Sequence, residues 1–349
     1  MTSDRLMPAS AQLLDGYQTA ARLPYLLLVR ELARLLEDPS VQVPPRLVQP
    51  LPGGGSLFVM PALDSQTAIT KLITFTPANA GSGRATIQGD VVVFDVASGE
   101  RRLVLDGPTL TARRTAAVSV LAAQRLAPCT QGPLLIVGAG VQGQSHLEAF
   151  AQVLQVREFV IASRSAGSAE RLAQHAQSLG LQARVVLDAN AALADCPMAV
   201  TCTPAHGIVL DALPRRNTFL AAVGAFTPQM VELGPVLCRH FAAQGTVVVD
   251  TVDARHEAGD LLQAGLDVAR FASLADVIRT SHFPVTGPVL FKSCGWAGWD
   301  LAATRTALAL PVDTPAIQPQ GLKFIGKVDG KFRIAPPSCR IVQDDDCLN

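Results

Sequence analysis

The chain has 349 residues, nearly half of them apolar, and its 29 Lys plus Arg balance 29 Asp plus Glu. That length leaves room for two domains with sizeable cores, and zero net charge removes any global pull toward nucleic acid or an anionic membrane. No apolar h-region opens the chain and no apolar run approaches the roughly 18 residues of a membrane span, so a cytoplasmic protein is expected.

In chain order, apolar residues at 25, 28, 29, 32 and 36 predict a surface helix lying on a core, with Arg30, Glu31 and Arg34 turned away. From Val43 the texture changes to short β-like runs: LVQPL, SLFVMPAL, ITKLITF, VVVFDV and RRLVLDG. Turn signals such as Gly53-Gly54-Gly55 and Ser98-Gly99 separate them. The first hundred residues therefore read as α+β. An Ala-rich stretch over 111–126, with Thr111 as its N-cap, predicts one long helix leading out. After Pro133, fully apolar strands alternate with helices (LLIVG, EFVIAS, ARVVL, MAVTCT, FLAAVGA and TVVVDTV). Continuous apolar strands between helices predict a parallel, doubly wound sheet covered on both faces. A helix over 298–310 is expected to return to the first domain, and the tail after Pro311 to be irregular. The expected organisation is an α/β chain in which a doubly wound Rossmann domain, 116–295, interrupts an α+β domain made of 1–115 and 296–349.

Residues 134–143 read LLIVGAGVQG, an apolar strand running into G-x-G-x-x-G, with a helical segment over 144–154. Gly138 permits the tight turn, Gly140 lets backbone approach a pyrophosphate, and Gly143 lets helix pack on strand. The helix N-terminus supplies free N–H groups for phosphates. About twenty residues on, where an NAD-preferring site places an acid, stand Ser163, Arg164 and Ser165. Hydroxyls and a guanidinium suit a 2′-phosphate, so NADPH is the expected cofactor, with NADH possible. The alternative is that Arg164 solvates a loop or stacks on adenine, leaving both cofactors usable.

Several motifs, in order, resemble the ornithine cyclodeaminase/mu-crystallin family: Pro44-Pro45-Arg46, Lys71-Leu72-Ile73-Thr74, Thr86 before VVVFD, Asp106-Gly107 with Arg114-Thr115-Ala116-Ala117, GAGVQG, Val223-Gly224-Ala225, Glu257-Ala258-Gly259-Asp260 and Phe291-Lys292-Ser293. The resemblance covers about 40 to 310. It implies a homodimer formed through the α+β domain, which also binds substrate, and an active site between the domains. It implies that Arg46, Lys71 and Arg114 hold a substrate carboxylate, and that Thr86, Ala139, Val141, Gln142, Thr203, Val223 and Ser293 contact the nicotinamide dinucleotide. Guanidinium and ammonium groups from three separate segments suit a small amino or imino acid on chemical grounds as well. Arg113 is the weaker ligand, because successive helix residues point about 100° apart.

One departure bears on the reaction. The cyclodeaminases of the family carry an acid just after the Val-Gly-Ala strand, serving ring closure; this chain has Phe226 there. The resemblance then implies reduction of cyclic imino acids, Δ1-pyrroline-2-carboxylate to L-proline and Δ1-piperideine-2-carboxylate to L-pipecolate. Hydride passes to C2 of the iminium, Lys71 relays a proton, and Phe226 walls the ring. The alternatives are an ornithine cyclodeaminase, an open-chain amino-acid dehydrogenase, and ligand binding without catalysis in the manner of mu-crystallin.

Other residues are expected to be structural. His146, His206 and His256 lack metal-ligand spacing, and the seven cysteines, an odd number without a C-x-x-C pair, read as reduced thiols. Cys202 reads as packing, Trp296 and Trp299 as anchors of the returning helix, Asp250 and Asp253 as helix-start caps, and Glu257 and Asp260 as hydrogen-bonding residues.

Overall fold

Two short elements, β1 (Gln12–Leu13) and α1 (Gly16–Ala21), precede α2 (Tyr25–Glu37). This is a computed structural model that describes residues 12–79, 82–204 and 206–310; the tail expected after Pro311 lies outside the described residues. Tyr25, Leu28, Val29, Leu32, Leu35 and Leu36 are buried along α2, the stripe that its spacing predicts.

Strands β2 (Leu47–Leu51), β3 (Gly55–Leu63), β4 (Thr67–Phe75), β5 (Ile87–Asp95) and β6 (Arg101–Asp106) follow. They pair antiparallel in the order β1-β6-β5-β4-β3-β2, with β1 joining β6 in parallel. The period of two gives β4 distinct faces: Thr67, Ile69, Lys71 and Ile73 are buried, whereas Leu72 is exposed. Lys71 therefore sits in an apolar row, flanked in register by Met60 and Val91.

The next helix, α3 (Gly107–Leu126), starts earlier than its sequence suggests. Asp106 accepts the Thr109 N–H at 2.8 Å and Pro108 fills the first turn, so Asp106 and not Thr111 is the N-cap. The helix passes straight through residue 116, packing on α2 and β5 as well as on elements of the second sheet.

That second half runs β7 (Leu134–Val137), α4 (Val141–Val153), β8 (Glu158–Ala162), α5 (Ala166–Ser178), β9 (Gln182–Val186), α6 (Ala189–Leu193), β10 (Met198–Thr201), β11 (His206–Leu210), β12 (Phe219–Ala222), β13 (Val231–Leu233), α7 (Pro235–Gln244), β14 (Thr246–Val249), α8 (Gly259–Gln263), β15 (Ala272–Ser273), α9 (Leu274–Arg279) and β16 (Val289–Lys292). Eight of these strands form one parallel sheet in the order β15-β14-β16-β12-β10-β7-β8-β9, while β11 and β13 pair separately. Leu134 and Ile136 enter one core and Leu135 and Val137 the other, so both faces are covered. The expected doubly wound sheet is present, with additions that the strand reading missed: the two-residue β15 at one edge, β16, and a separate strand pair. β16 inserts between β14 and β12, and the β11–β13 pair stands outside the sheet. The final helix, α10 (Ala297–Ala309), returns to pack on α2, α3, β3 and β4. No described helix is long and apolar enough to cross a membrane.

Candidate active site

The strand order reverses between β7 and β10, and in such sheets ligands bind in the crevice outside the carboxyl ends of the strands at that point. Four neighbouring strands, β7, β10, β12 and β16, end there in Gly138, Thr203, Val223 and Ser293, linked through the Val223 N–H to Thr201 O at 2.9 Å and the Ser293 N–H to Ala222 O at 3.0 Å. Gly138, at φ 117°, makes the turn. A Cβ on Gly143 would stand 2.1 Å from Gly138 O, so only glycine lets α4 sit this close to β7. Helix α4 begins at Val141, not at Gln144 as expected; its N-cap Gly140 offers no side chain, and a Cβ there would meet nothing within 4 Å. Bare N–H groups beneath an open approach, with half-buried Ala139 and Gln142 and exposed Val141 around them, fit a dinucleotide pyrophosphate.

On the other side of β7, Ser163 is half-buried and Arg164 exposed. Ser165 is the N-cap of α5, its hydroxyl accepting from the Ser168 N–H. Thr86 stands where the chain enters β5, its carbonyl accepting the Thr76 N–H at 2.8 Å. No described hydrogen bond joins Thr86 to the crevice.

The three expected carboxylate ligands come from three separate segments, and two of them converge on a carboxylate that sequence reasoning did not single out. Asp300, fully buried near the start of α10, binds Lys71 Nζ at 2.7 Å through Oδ2 and Arg114 Nε at 3.0 Å through Oδ1. Arg114 is held by Nε, and among the described residues no hydrogen bond engages its Nη1 or Nη2. Gly295, at φ 91°, lies over that end of the guanidinium, where a Cβ would stand 3.6 Å from both nitrogens. Burial pulls the Lys71 pKa down to about 8; Asp300 opposes the shift, and Arg114 and Arg46 add to it. Arg46, before β2, pairs with Glu257 at 2.5 Å. Burial pushes the Glu257 carboxyl up to about 7, against the pull of Arg46 and with a push from Asp250 and Asp253. Arg113 points away, donating to Leu23 O at 2.9 Å and stacking on Tyr25 at 4.0 Å from the ring centroid.

One acid joins the two groups of residues. Asp250, at the end of β14, accepts the Ser293 Oγ–H, Cys294 N–H and Gly295 N–H on Oδ2 at 2.8, 2.9 and 2.8 Å. Asp250 was expected to cap a helix, as was Asp253. Instead Asp250 fixes the loop that carries Ser293 at the strand ends and Gly295 over Arg114, and Asp253 is exposed within the short 3-10 helix Val252–His256, whose N-cap position, Thr251, makes no side-chain cap. Asp260 does accept structural hydrogen bonds, from the N–H groups of Glu232 and Leu233. Its neighbour Gly259 has no room for a Cβ beside Met230 O at 2.1 Å. Cys202 packs under the turn, with Sγ 3.2 Å from Gly138 O. Trp299 is fully buried, with Trp296 edge-on at 5.0 Å.

The ornithine cyclodeaminase/mu-crystallin family model matches residues 27–308. The chain belongs to this family. A Δ1-pyrroline-2-carboxylate reductase from Burkholderia ambifaria is 40% identical over 298 residues, 84% of this chain and 94% of that protein. A Δ1-pyrroline-2-carboxylate/Δ1-piperideine-2-carboxylate reductase from Azospirillum brasilense is 39% identical over the same share of each. Among solved structures, Thermococcus litoralis Δ1-pyrroline-2-carboxylate reductase in complex with NADH and L-proline superposes with a TM-score of 0.77 at 22% identity, covering 84% of this chain and 95% of that one. At that identity the likeness speaks for the fold.

Proposed function

We propose that the protein is an NAD(P)H-dependent oxidoreductase that reduces cyclic imino acids, Δ1-pyrroline-2-carboxylate to L-proline and Δ1-piperideine-2-carboxylate to L-pipecolate. The observation that carries this reading is the loop held by Asp250, in which Ser293, read here as a nicotinamide contact, stands two positions from the glycine lying over the Nη1 and Nη2 end of Arg114. A small substrate that bridges carboxylate ligand and cofactor fits that spacing. Two reductases at about 40% identity over most of the chain add to it.

Arg114 Nη1 and Nη2 provide a bidentate seat for the substrate carboxylate, with Lys71 adding a point charge. Asp300 fixes both cations, so little reorganisation accompanies binding. The bound reduced nicotinamide supplies the hydride that C2 of the iminium accepts. Lys71, with its pKa near 8, exchanges protons near neutral pH and serves as the relay that keeps the substrate nitrogen protonated. Ser163 and Arg164 favour NADPH over NADH. Phe226, half-buried where cyclodeaminases have an acid, offers no base for ring closure and stands as an apolar wall.

On this reading the described residues up to 115, with 296–310, make the substrate and dimerisation domain, and 116–295 the dinucleotide domain. The homodimer closes over the outer face of the antiparallel sheet, where Leu47, Val59 and Leu72 lie abreast and Phe94 is exposed.

The deciding experiment follows NADPH oxidation by the purified protein with each cyclic imine, with NADH in place of NADPH, and with pyruvate plus ammonia. Turnover of the imines without ammonia is expected. Ammonia-dependent use of pyruvate, or ammonia release from ornithine, in the absence of imine turnover would overturn the reading.

A further inference from the structure

The carboxyl ends of β10 and β12 are tied together by one buried side chain that no site motif included. Glu232, in the middle of β13 and fully buried, accepts the Thr203 N–H at 2.7 Å and the Thr203 Oγ1–H at 2.9 Å on Oε1, and the Gly224 N–H at 2.7 Å on Oε2. The fit is tight: a Cβ on Gly224 would stand 2.5 Å from Glu232 Oε1 and 2.1 Å from Thr203 O. Behind it, the Glu232 and Leu233 N–H groups donate to Asp260 Oδ1, and Asp260 Oδ2 pairs with Lys292 Nζ at 2.6 Å, every member fully or almost fully buried. Asp260 thus pairs with the Lys292 ammonium, while Glu232 binds N–H groups at two of the four strand ends that form the crevice.

Burial pushes the Glu232 pKa up, while Lys292 and the Thr203 hydrogen bonds pull it down. Both oxygens already accept a backbone N–H at 2.7 Å, an arrangement that suits the carboxylate and not the acid. The opposite side of the site is built the other way, with three cations, Arg46, Lys71 and Arg114, facing two carboxylates, Asp300 and Glu257.

We propose that Glu232 is a positioning residue for the nicotinamide subsite: it locks Thr203 and Gly224 into one wall and places a buried negative charge behind it, favouring the oxidised, positively charged nicotinamide over the reduced one. This rests on the dinucleotide reading of the crevice given above. The direction is useful for a reductase, because the ring gains positive charge as hydride leaves toward the cationic side.

The test measures the dissociation constants of NADPH and NADP+ by fluorescence quenching and calorimetry on the full chain, for wild type, Glu232→Gln and Thr203→Val. Glu232→Gln removes the charge and keeps the shape, and is expected to weaken NADP+ about tenfold relative to NADPH, the order expected for one unit charge in a partly screened interior. Thr203→Val is nearly isosteric, removes one of the three donors and is expected to move the same ratio by about threefold. If Glu232→Gln does not fold, Thr203→Val decides. A ratio that stays at its wild-type value, whether or not both affinities fall together, would overturn the proposal. Wild-type protein that binds neither nucleotide would overturn the dinucleotide reading itself, a separate result.

Discussion

Lys71 and Arg114 share one carboxylate, so removing either leaves the other in a changed electrostatic setting. Lys71→Met keeps the volume and leaves Asp300 paired with Arg114 alone. The expected result is a fall in kcat at least tenfold, with loss of the limb of the pH profile near 8. An unchanged profile in steady-state assays would remove the relay role. Arg114→Lys loses the two-pronged seat and is expected to raise KM for the imine about a hundredfold while KM for NADPH stays within about threefold.

Two buried or half-buried groups oppose each other in the response of stability to acid. Burial lowers the His146 pKa to about 4: its Nδ1–H donates to Gln142 O at 2.7 Å and its Nε2 accepts from Ser119 Oγ at 2.9 Å. The unfolded state binds that proton first, so the contribution is complete above about 6.5 and lost as pH falls through about 4. Glu257, raised to about 7, runs the other way: its contribution is complete below about 4.5 and lost as pH rises through about 7. Melting temperatures taken from pH 4 to 7 should accordingly climb more steeply with pH in Glu257→Gln than in wild type, and less steeply in His146→Leu.

Among the elements, those whose identity is local were legible and those whose identity lies in a distant partner were not. The apolar stripe of α2 and the glycines around β7 carry their own instructions, because 3.6-residue spacing and steric exclusion at Gly143 act within a few residues. The start of α3 was misplaced because Asp106, read as the end of a strand, also caps the helix; Asp106→Ala is expected to cost about 1 kcal/mol in urea unfolding. β16 has four residues, and its place between β14 and β12 is a matter of sheet order, which no local pattern encodes. Asp300 was missed for a related reason. An acid in the first turn of a helix reads as a partner for the helix dipole, and its real partners stand on β4 and α3. Glu232 and Asp250 carry no motif at all. Their importance lies in which N–H groups the folded chain brings to them.

For the whole molecule, the homodimer proposed above rests on the outer face of the antiparallel sheet. One cross-strand row there carries Leu47, Val59 and Leu72, of which Leu47 and Leu72 are exposed, an apolar exposure that a chain of zero net charge tolerates poorly as a monomer. Leu72→Glu is expected to convert a dimer to a monomer in light scattering after size exclusion, with secondary structure unchanged. A wild-type monomer at micromolar concentration would remove the dimer assignment.

The twenty-residue α3 has a last consequence, for how the molecule comes apart. Residues of the antiparallel half (Leu28, Val91, Leu110 and Trp299) and of the dinucleotide half (Ile136, Phe219 and Phe291) belong to one uninterrupted hydrophobic cluster, and α3 runs through it. Neither half can melt while the other keeps its solvent-shielded side, so scanning calorimetry should record a single endotherm in which van't Hoff and calorimetric enthalpies agree per cooperative unit. A fragment beginning after the helix would carry a raw oily flank, and the expectation for its expression is inclusion bodies.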